Sequence, residues 1–388
     1  MAQPKKTLRT ADAKQSNGSK LVTTLSEWLL SFVSMPTEYA LVSALYAVHS
    51  YVYRRFDSVA YLSLTSAEPQ SGKTTLMRAL CELADHGSYS ADPTKASLFA
   101  EIADATDRDQ GVTIGWDECE KAARESDDRR EIINSGYTRD GKVKRINRNA
   151  ADGESRIEYM PTYCPKILSG LGSLAPTIKD RSIVLLMRHG KAARRAMITS
   201  IKTEALQLQN DIRATIAQVF PPNGALLTLH DVEWLDGREA ELWQPLWTTA
   251  TYLQLTADQF ALLRRATDSL IEMKHSDPDR RYTLVRKLED KQAINKGESP
   301  YGVKALRALS EIIGSSSGIW TADLVKAMNS GEWKDYRSGK GINARSLSDL
   351  VATFGVTPKQ IKIKGKNANG FRAADVKAAL TKYTATSH

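Results

Sequence analysis

Tyr61-Leu-Ser-Leu-Thr-Ser-Ala-Glu-Pro-Gln-Ser-Gly-Lys-Thr-Thr-Leu-Met-Arg-Ala-Leu80 is the stretch whose reading decides the fold. Tyr61 to Thr65 predicts a short buried strand, and Thr74 to Leu83 predicts a helix with its apolar residues on one side. Between them stands Ala67-x-x-x-x-Gly72-Lys73-Thr74, the phosphate-binding-loop pattern with Ala in place of the first Gly. Such a loop presents backbone N–H groups and a helix N-terminus to a charged phosphate tail. Ala67, Glu68, Pro69, Gln70, Ser71, Gly72, Lys73, Thr74 and Thr75 are therefore the expected ATP-binding residues. Lys73 would reach the β- and γ-phosphates, and the Thr74 hydroxyl would hold Mg²⁺. The competing reading is an ordinary turn before a helix, which does not require this order of strand, loop and helix.

The 388 residues suggest two or three domains, and 41% hydrophobic with 26% charged residues is an ordinary globular composition. No apolar run approaches the length of a membrane span, and the N-terminus lacks a secretory signal. Tyr39 to Tyr53, the longest mainly apolar stretch, reads as an amphipathic helix. Cys81, Cys119 and Cys164 stand far apart without metal-ligand spacing, which fits a reducing cytoplasm. The net charge of +9 is unevenly spread. Residues 300–388 carry 14 Lys or Arg against 6 Asp or Glu, and residues 1–20 carry 5 against 1. Two basic ends around a slightly acidic middle point to DNA as a partner, with a solvated surface as the bland alternative.

In chain order, residues 1–20 read as a basic disordered tail and residues 21–58 as N-terminal helices broken near Met35-Pro36. Residues 59–190 read as the ATPase core. There a helix is expected from Thr94 to Ala105, followed by the strand Gly111-Val-Thr-Ile-Gly-Trp-Asp117-Glu118. An apolar strand ending in Asp-Glu is the second half of an ATPase site. Asp117 would contact the metal, and Glu118 would polarise the attacking water; the alternative is a strand followed by an acidic helix cap. Arg129 to Gly136 reads as helical. Lys142 to Asn147 and Arg156 to Met160 then read as a hairpin around Asp152-Gly153. Lys142, Lys144, Arg145 and Arg148 make it a candidate DNA grip, although Lys and Arg also protect ordinary sheet edges. Pro165 to Gly170 is the next core strand. Its Ser169 would sense the γ-phosphate or orient water, or else simply end the strand. Arg181 precedes the last core strand, Ser182 to Met187. It would reach into a neighbour's site as an arginine finger, or pair locally with Asp180.

These residues carry a resemblance. Ala67–Thr75, Trp116-Asp117-Glu118, Asn134-Ser-Gly136, Cys164 to Gly172 and Ile178 to Ile183 resemble the actinobacterial phage and plasmid ATPase domain catalogued as domain-of-unknown-function family 3631. More distantly the chain is similar to hexameric superfamily 3 and AAA+ DNA helicases. The resemblance runs over most of residues 25–385, including Arg238 to Leu246, Trp320 to Leu324 and Asn369 to Arg372. It implies a motor or ATP switch on DNA in phage or mobile-element replication. It also implies a lid role for Arg238 as a second sensor of bound nucleotide. Such domains often follow primase modules. Sixty residues precede Tyr61 here, so a primase or polymerase is expected as a separate partner.

Residues 191–299 read as helical lid and linker. Lys191 to Gln218 and Arg238 to Leu255 are the helices, and Trp243, Leu246, Trp247 and Tyr252 are read as core rather than as base-stacking platforms. Lys287 to Ser299 is a polar linker or exposed helix. Residues 300–388 read as a winged helix. Helices are expected over Ala305–Ile313, Thr321–Met328 and Ala344–Phe354, the last N-capped by Asn343. Gln360 to Lys364 is a strand, Gly365 to Gly370 a turn, and Phe371-Arg372 returns. Arg345 opens the recognition helix, and Lys362, Lys364, Lys366 and Arg372 line the wing, facing either duplex DNA or a protein.

The sequence thus predicts an α/β phosphate-loop ATPase of AAA+ or superfamily 3 type with helical flanks and a C-terminal winged helix. It would work as a homo-oligomeric ring, expected to be a hexamer, threading single-stranded DNA as a helicase or translocase. Two alternatives stand beside that reading: an initiator or helicase loader that uses ATP as an assembly switch, and a DNA-binding regulator with weak ATPase activity.

Overall fold

The computed structural model describes residues 15–66, 70–119, 129–146, 157–171, 175–188, 190–223, 225–276, 285, 288, 301–336, 341–352, 354–363 and 365–384. Ala67, Glu68, Pro69, Arg148 and Lys364, most of the basic tail, the Asp152-Gly153 turn and all but Leu288 of the polar segment 287–299 lie outside them.

Helix α1, Asn17–Phe32, starts inside the stretch read as tail. Ser16 caps it, accepting from the Ser19 N–H at 2.9 Å while its own hydroxyl donates to the Leu253 carbonyl at 3.0 Å. A Cβ on Gly18 would lie 2.3 Å from the Leu253 oxygen, so the helix start is pressed against backbone from the far side of the chain. Helix α2, Thr37–His49, is buried at every residue from Glu38 to His49. It is a central helix rather than the amphipathic one expected, because α1 and two later helices (below) cover it.

The core is a five-stranded, wholly parallel sheet made of β1 (Tyr61–Ser66), β2 (Gly87–Ser90), β3 (Thr113–Trp116), β6 (Lys166–Leu171) and β7 (Ser182–Leu186). Their spatial order is β2-β3-β6-β1-β7. Parallel neighbours need crossovers, supplied in part by α3 (Lys73–Leu83), α4 (Lys95–Asp107) and α6 (Pro176–Asp180). Strand β6 therefore lies between the strand that leads into the phosphate loop and the strand that ends in Asp117, with Leu64 opposite Ser169 and Trp116 opposite Leu168. All six residues of β1 are buried, as a central parallel strand requires. This is a mixed α/β fold with a parallel central sheet, consistent with a phosphate-loop core.

Between β3 and β6 come α5 (Arg130–Ser135) and the antiparallel pair β4 (Lys142–Ile146) and β5 (Ile157–Pro161). After β7 come α7 (Ile198–Val219), α8 (Gly237–Tyr252) and α9 (Ala257–His275). Residues 191–197, expected to be helical, are not. Helices α8 and α9 pack on α2. Trp243 and Trp247 are core, as their helical spacing indicated. The sequence reading missed α9, which opens with a reciprocal Thr256–Gln259 capping box.

The C-terminal unit has its own core of Leu306, Leu309, Leu324, Leu347, Leu350 and Phe371 among others. Its order is helix (Tyr301–Ile313), β8 (Gly318–Trp320), helix (Thr321–Asn329), helix (Ala344–Ala352), β9 (Lys359–Ile363), β10 (Lys366–Arg372), helix (Ala373–Thr384). Asn343 caps the third helix by accepting from the Ser346 N–H at 2.7 Å. The segment read as a turn, Gly365 to Gly370, is mostly strand: Lys366 already pairs with Ile363. Gly365, at φ +81°, belongs to a two-residue connection. Its Asn- and Gly-rich composition suggests a turn, but backbone pairing to β9 overrides it.

Candidate nucleotide site

Helix α3 begins at Lys73 because Gly72, at φ +84°, turns the chain where a Cβ would be strained and would lie 3.1 Å from Val33. Gln70, at φ +58°, is also left-handed. Ser71 and Lys73 are buried, Thr75 is half-buried and Thr74 is exposed. The Lys73 ammonium donates to Ser66 Oγ at the end of β1 and to Ser71 Oγ at 3.1 Å. It is thus held at the helix N-terminus, where the helix dipole favours an anion.

Thr74 Oγ1 donates to Asp117 Oδ2 at 2.9 Å, joining the two halves of the predicted site. Tyr89 Oη donates to the same oxygen at 3.1 Å, and the Glu118 N–H donates to Asp117 Oδ1 at 3.0 Å. Burial raises the Asp117 carboxyl, but the Ser169 hydroxyl, Thr74, the Glu118 N–H and Tyr89 outweigh it and hold the group below its ordinary value. Ser169 Oγ is buried and closes no hydrogen bond among the described residues. It therefore acts on Asp117 as a nearby dipole, and the closed bonds from Thr74 and Tyr89 carry more weight. Glu118 is exposed at φ +54°, a conformation costing a non-glycine residue about 1–3 kcal/mol. A helix N-terminus, a buried ammonium, a threonine hydroxyl and a carboxylate held ionised form a donor set that fits a magnesium-bound triphosphate. Tyr89 was not read from the sequence. It reaches Asp117 because β2 pairs with β3, with Ser90 opposite Trp116, and no spacing rule marks that.

Arg181 and Arg238 stand at the opposite, N-terminal edge of the sheet. The Arg181 carbonyl accepts from the N–H of Tyr61, the first residue of β1. That places it about 17 Å along the strand from the phosphate loop. The Arg181 guanidinium lies over the Tyr137 ring at 5.0 Å and donates to the Thr177 carbonyl at 2.9 Å. Asp180 does not take Arg181 as its partner; it pairs with Arg238 at 3.2 Å. Arg238 also lies over Tyr137, at 4.7 Å, donates to its hydroxyl at 2.6 Å and pairs with Glu241. The lid role implied for Arg238 on the chain's own nucleotide does not match this placement, since Arg238 faces away from the phosphate loop. Tyr137, gripped by both arginines, was not singled out from the sequence.

The same edge buries Lys166, whose ammonium donates to the carbonyls of Gly136, Thr162 and Cys164 at 3.3, 2.8 and 3.1 Å. Burial lowers its pKa.

In the hairpin, Lys142 lies opposite Pro161, Lys144 opposite Tyr159, and Ile146 opposite Ile157. Strand alternation puts these residues on the outward face. Arg145 is on the other face, with Val143 and Met160, and its guanidinium lies over Phe99 at 4.7 Å. It therefore leaves the expected DNA-facing set. Tyr159, 56% exposed and 5.7 Å from the Lys144 ammonium, joins that set unforeseen. In the C-terminal unit Arg345, Lys362, Lys366 and Arg372 are exposed. Alternation divides the cations of the β9–β10 pair: Lys362 shares a face with Asn367, whereas Lys366 and Arg372 lie on the opposite one.

A family model described as a protein of unknown function (DUF3631) matches residues 191–383. The family named from the sequence is thus the one matched, over the helices after the sheet and the C-terminal unit rather than over residues 25–385. No curated protein matches the chain. Among solved structures, JCV helicase bound to a thiazolopyridinyl-phenoxyphenyl acetamide is similar at 14% identity, covering 66% of this chain and 72% of that one, with a TM-score of 0.24. That likeness is too slight to bear on fold or function. No helix among the described residues is long and apolar enough to cross a membrane, and no group of three or more His, Cys, Asp or Glu among them is placed to hold a metal.

Proposed function

We propose that this chain is an ATP-driven motor on DNA, a ring-forming helicase or translocase of AAA+ or superfamily 3 type in phage or mobile-element replication. One observation carries the proposal: the Thr74 hydroxyl after the phosphate loop bonds to Asp117 at the end of β3, across the intervening strand β6. In this reading Lys73 and the N-terminus of α3 bind the phosphates, and Thr74 with Asp117 holds the metal. Bound Mg²⁺ would supply charge neutralisation on the phosphates. Glu118, turned outward by its left-handed backbone, takes a proton from the attacking water. The outward face of the β4–β5 hairpin grips single-stranded DNA, and the C-terminal unit acts as a winged helix on duplex.

A second reading, with ATP as an assembly switch for an initiator or loader, is favoured by the state of Arg181. Its guanidinium lies on Tyr137 and is tied to Thr177, so it must be released before reaching a neighbour. The test is to measure ATP hydrolysis with and without single-stranded DNA, alongside strand displacement, for the natural chain and Glu118→Gln. DNA-stimulated hydrolysis with unwinding, lost in the variant while ATP binding persists, supports the motor. Stimulated hydrolysis without unwinding favours the switch, and undiminished turnover in Glu118→Gln overturns the assignment of the base.

A further inference from the structure

A cleft of about 550 Å³ lies at the N-terminal edge of the sheet, away from the phosphate loop. Its walls come from the turn after α2, the end of α4, the base of the β4–β5 hairpin and the loop after α7, so no single motif announces it. Arg54, Arg55, Arg139 and Lys142 line it, with Asp109 as the acidic residue on its wall. Arg54 is paired with that aspartate. Arg55 donates to the carbonyls of Pro221 and Ala225, both at 2.8 Å, which fixes the wall and leaves its charge without a counter-ion there. Arg139 and Lys142 are exposed, and neither side chain has an ion-pair or hydrogen-bond partner among the described residues.

We propose that this cleft binds the phosphodiester backbone of a single nucleic-acid strand, feeding it onto the outward face of the hairpin. Three uncompensated cations around one cleft favour phosphate. Two of the aromatic rings in its wall are already engaged. The Tyr53 and Tyr163 rings pack against each other at 5.3 Å, tilted by 56°, and Tyr53 is 3% exposed. The Tyr163 hydroxyl is spent on the carbonyls of Tyr53 and Phe56, at 3.0 and 2.9 Å. A mononucleotide site needs a pocket that closes on the base, whereas a strand held through its backbone does not. Lys142 also belongs to both surfaces. A backbone leaving the cleft at Lys142 meets Lys144 two residues on, where the exposed Tyr159 ring offers a stacking face. The inference rests on the nucleic-acid part of the function proposed above.

The test is the anisotropy of labelled oligothymidylate with the full chain, without nucleotide or magnesium, between 50 and 200 mM salt. Arg139→Gln is compared with Arg139→Gln/Lys142→Gln and with Lys362→Gln in the C-terminal unit, after checking that all melt as the natural chain does. Each lost phosphate contact should flatten the plot of log affinity against log salt by about 0.7, so the single variant loses about 0.7 and the double about 1.4. If the natural chain binds and both cleft variants keep its slope, the cleft is overturned while the DNA reading stands. If the natural chain does not bind at all, both fall. Displacement of the strand by adenosine monophosphate or tripolyphosphate, lost in Arg139→Gln, would make the cleft a small-anion site and overturn the strand.

Discussion

At the C-terminal edge of the sheet, Gly72, Lys73, Thr74 and Asp117 converge because each sits at the end of a parallel strand or in the first turn of the helix that follows it. At the N-terminal edge, Tyr137, Arg181, Arg238 and Lys166 converge from four separate segments, held by ring faces and backbone carbonyls. Both edges gather positive charge. The first gathers it at the phosphate-loop pattern, where the proposed function puts a phosphate tail; the second spends most of it inside the chain. The lesson is that an arginine near a core strand is not by itself a catalytic group, since geometry decides whether its donors remain available.

The sharpest way to break this contrast is Lys73→Ala. If the C-terminal edge is the working one, turnover falls about 10²–10³-fold, read by phosphate release, while the fold is retained by circular dichroism. Unaltered turnover would put the chemistry elsewhere. Next comes Lys166→Met on the other edge. It strands the carbonyls that the ammonium serves and should cost about 3 kcal/mol in denaturant unfolding, with no specific effect on nucleotide affinity.

A third test asks whether the helical layer behind the sheet has acid sensitivity of its own. His49 is fully buried, and burial lowers its pKa to about 3. Thr249 gives its proton to the Pro245 carbonyl, so it accepts from His49 Nδ1–H and leaves Nε2 bare and without a partner. A base kept neutral in the fold takes up a proton only on unfolding. Stability is therefore intact above the ordinary histidine value near 6.5 and lost as pH falls below it, by about 2 kcal/mol at pH 5. His49→Phe should remove that part of the slope; an unchanged slope would trace it to carboxylates. The smallest expected effect is that of Arg238→Ala, which should leave ATP affinity within about twofold because the residue faces the far edge. A tenfold loss would restore its lid role.

Much of the C-terminal edge was legible in the sequence. Strand, loop and helix follow one another without interruption from Tyr61 to Leu83, and an apolar run ending in Asp117-Glu118 needs no distant partner to be recognised. The hairpin was legible too, because turn residues and alternation are local. Its outward face was not fully so: alternation sends Lys144 and Arg145 to opposite sides, but only the packing of Arg145 over Phe99 shows which side is outward. Helix α1 was misread at its start for the same kind of reason. Ser-Asn-Gly-Ser falls in what reads as a disordered tail, and the carbonyl of Leu253 turns it into a docked cap.

The sequence by itself determined four of the five core strands, though not β2, together with the phosphate-loop pattern and the basic character of both ends, because each is written in residues a few positions apart. Tertiary structure alone decided that Tyr89 reaches Asp117, that Tyr137 takes up two arginines, that Lys166 is buried against three carbonyls and that a basic cleft opens beneath the hairpin. Apart from the bonds of Lys166 to nearby Thr162 and Cys164, those contacts join segments tens to more than a hundred residues apart. Their geometry is fixed by sheet order and packing, which no local pattern encodes.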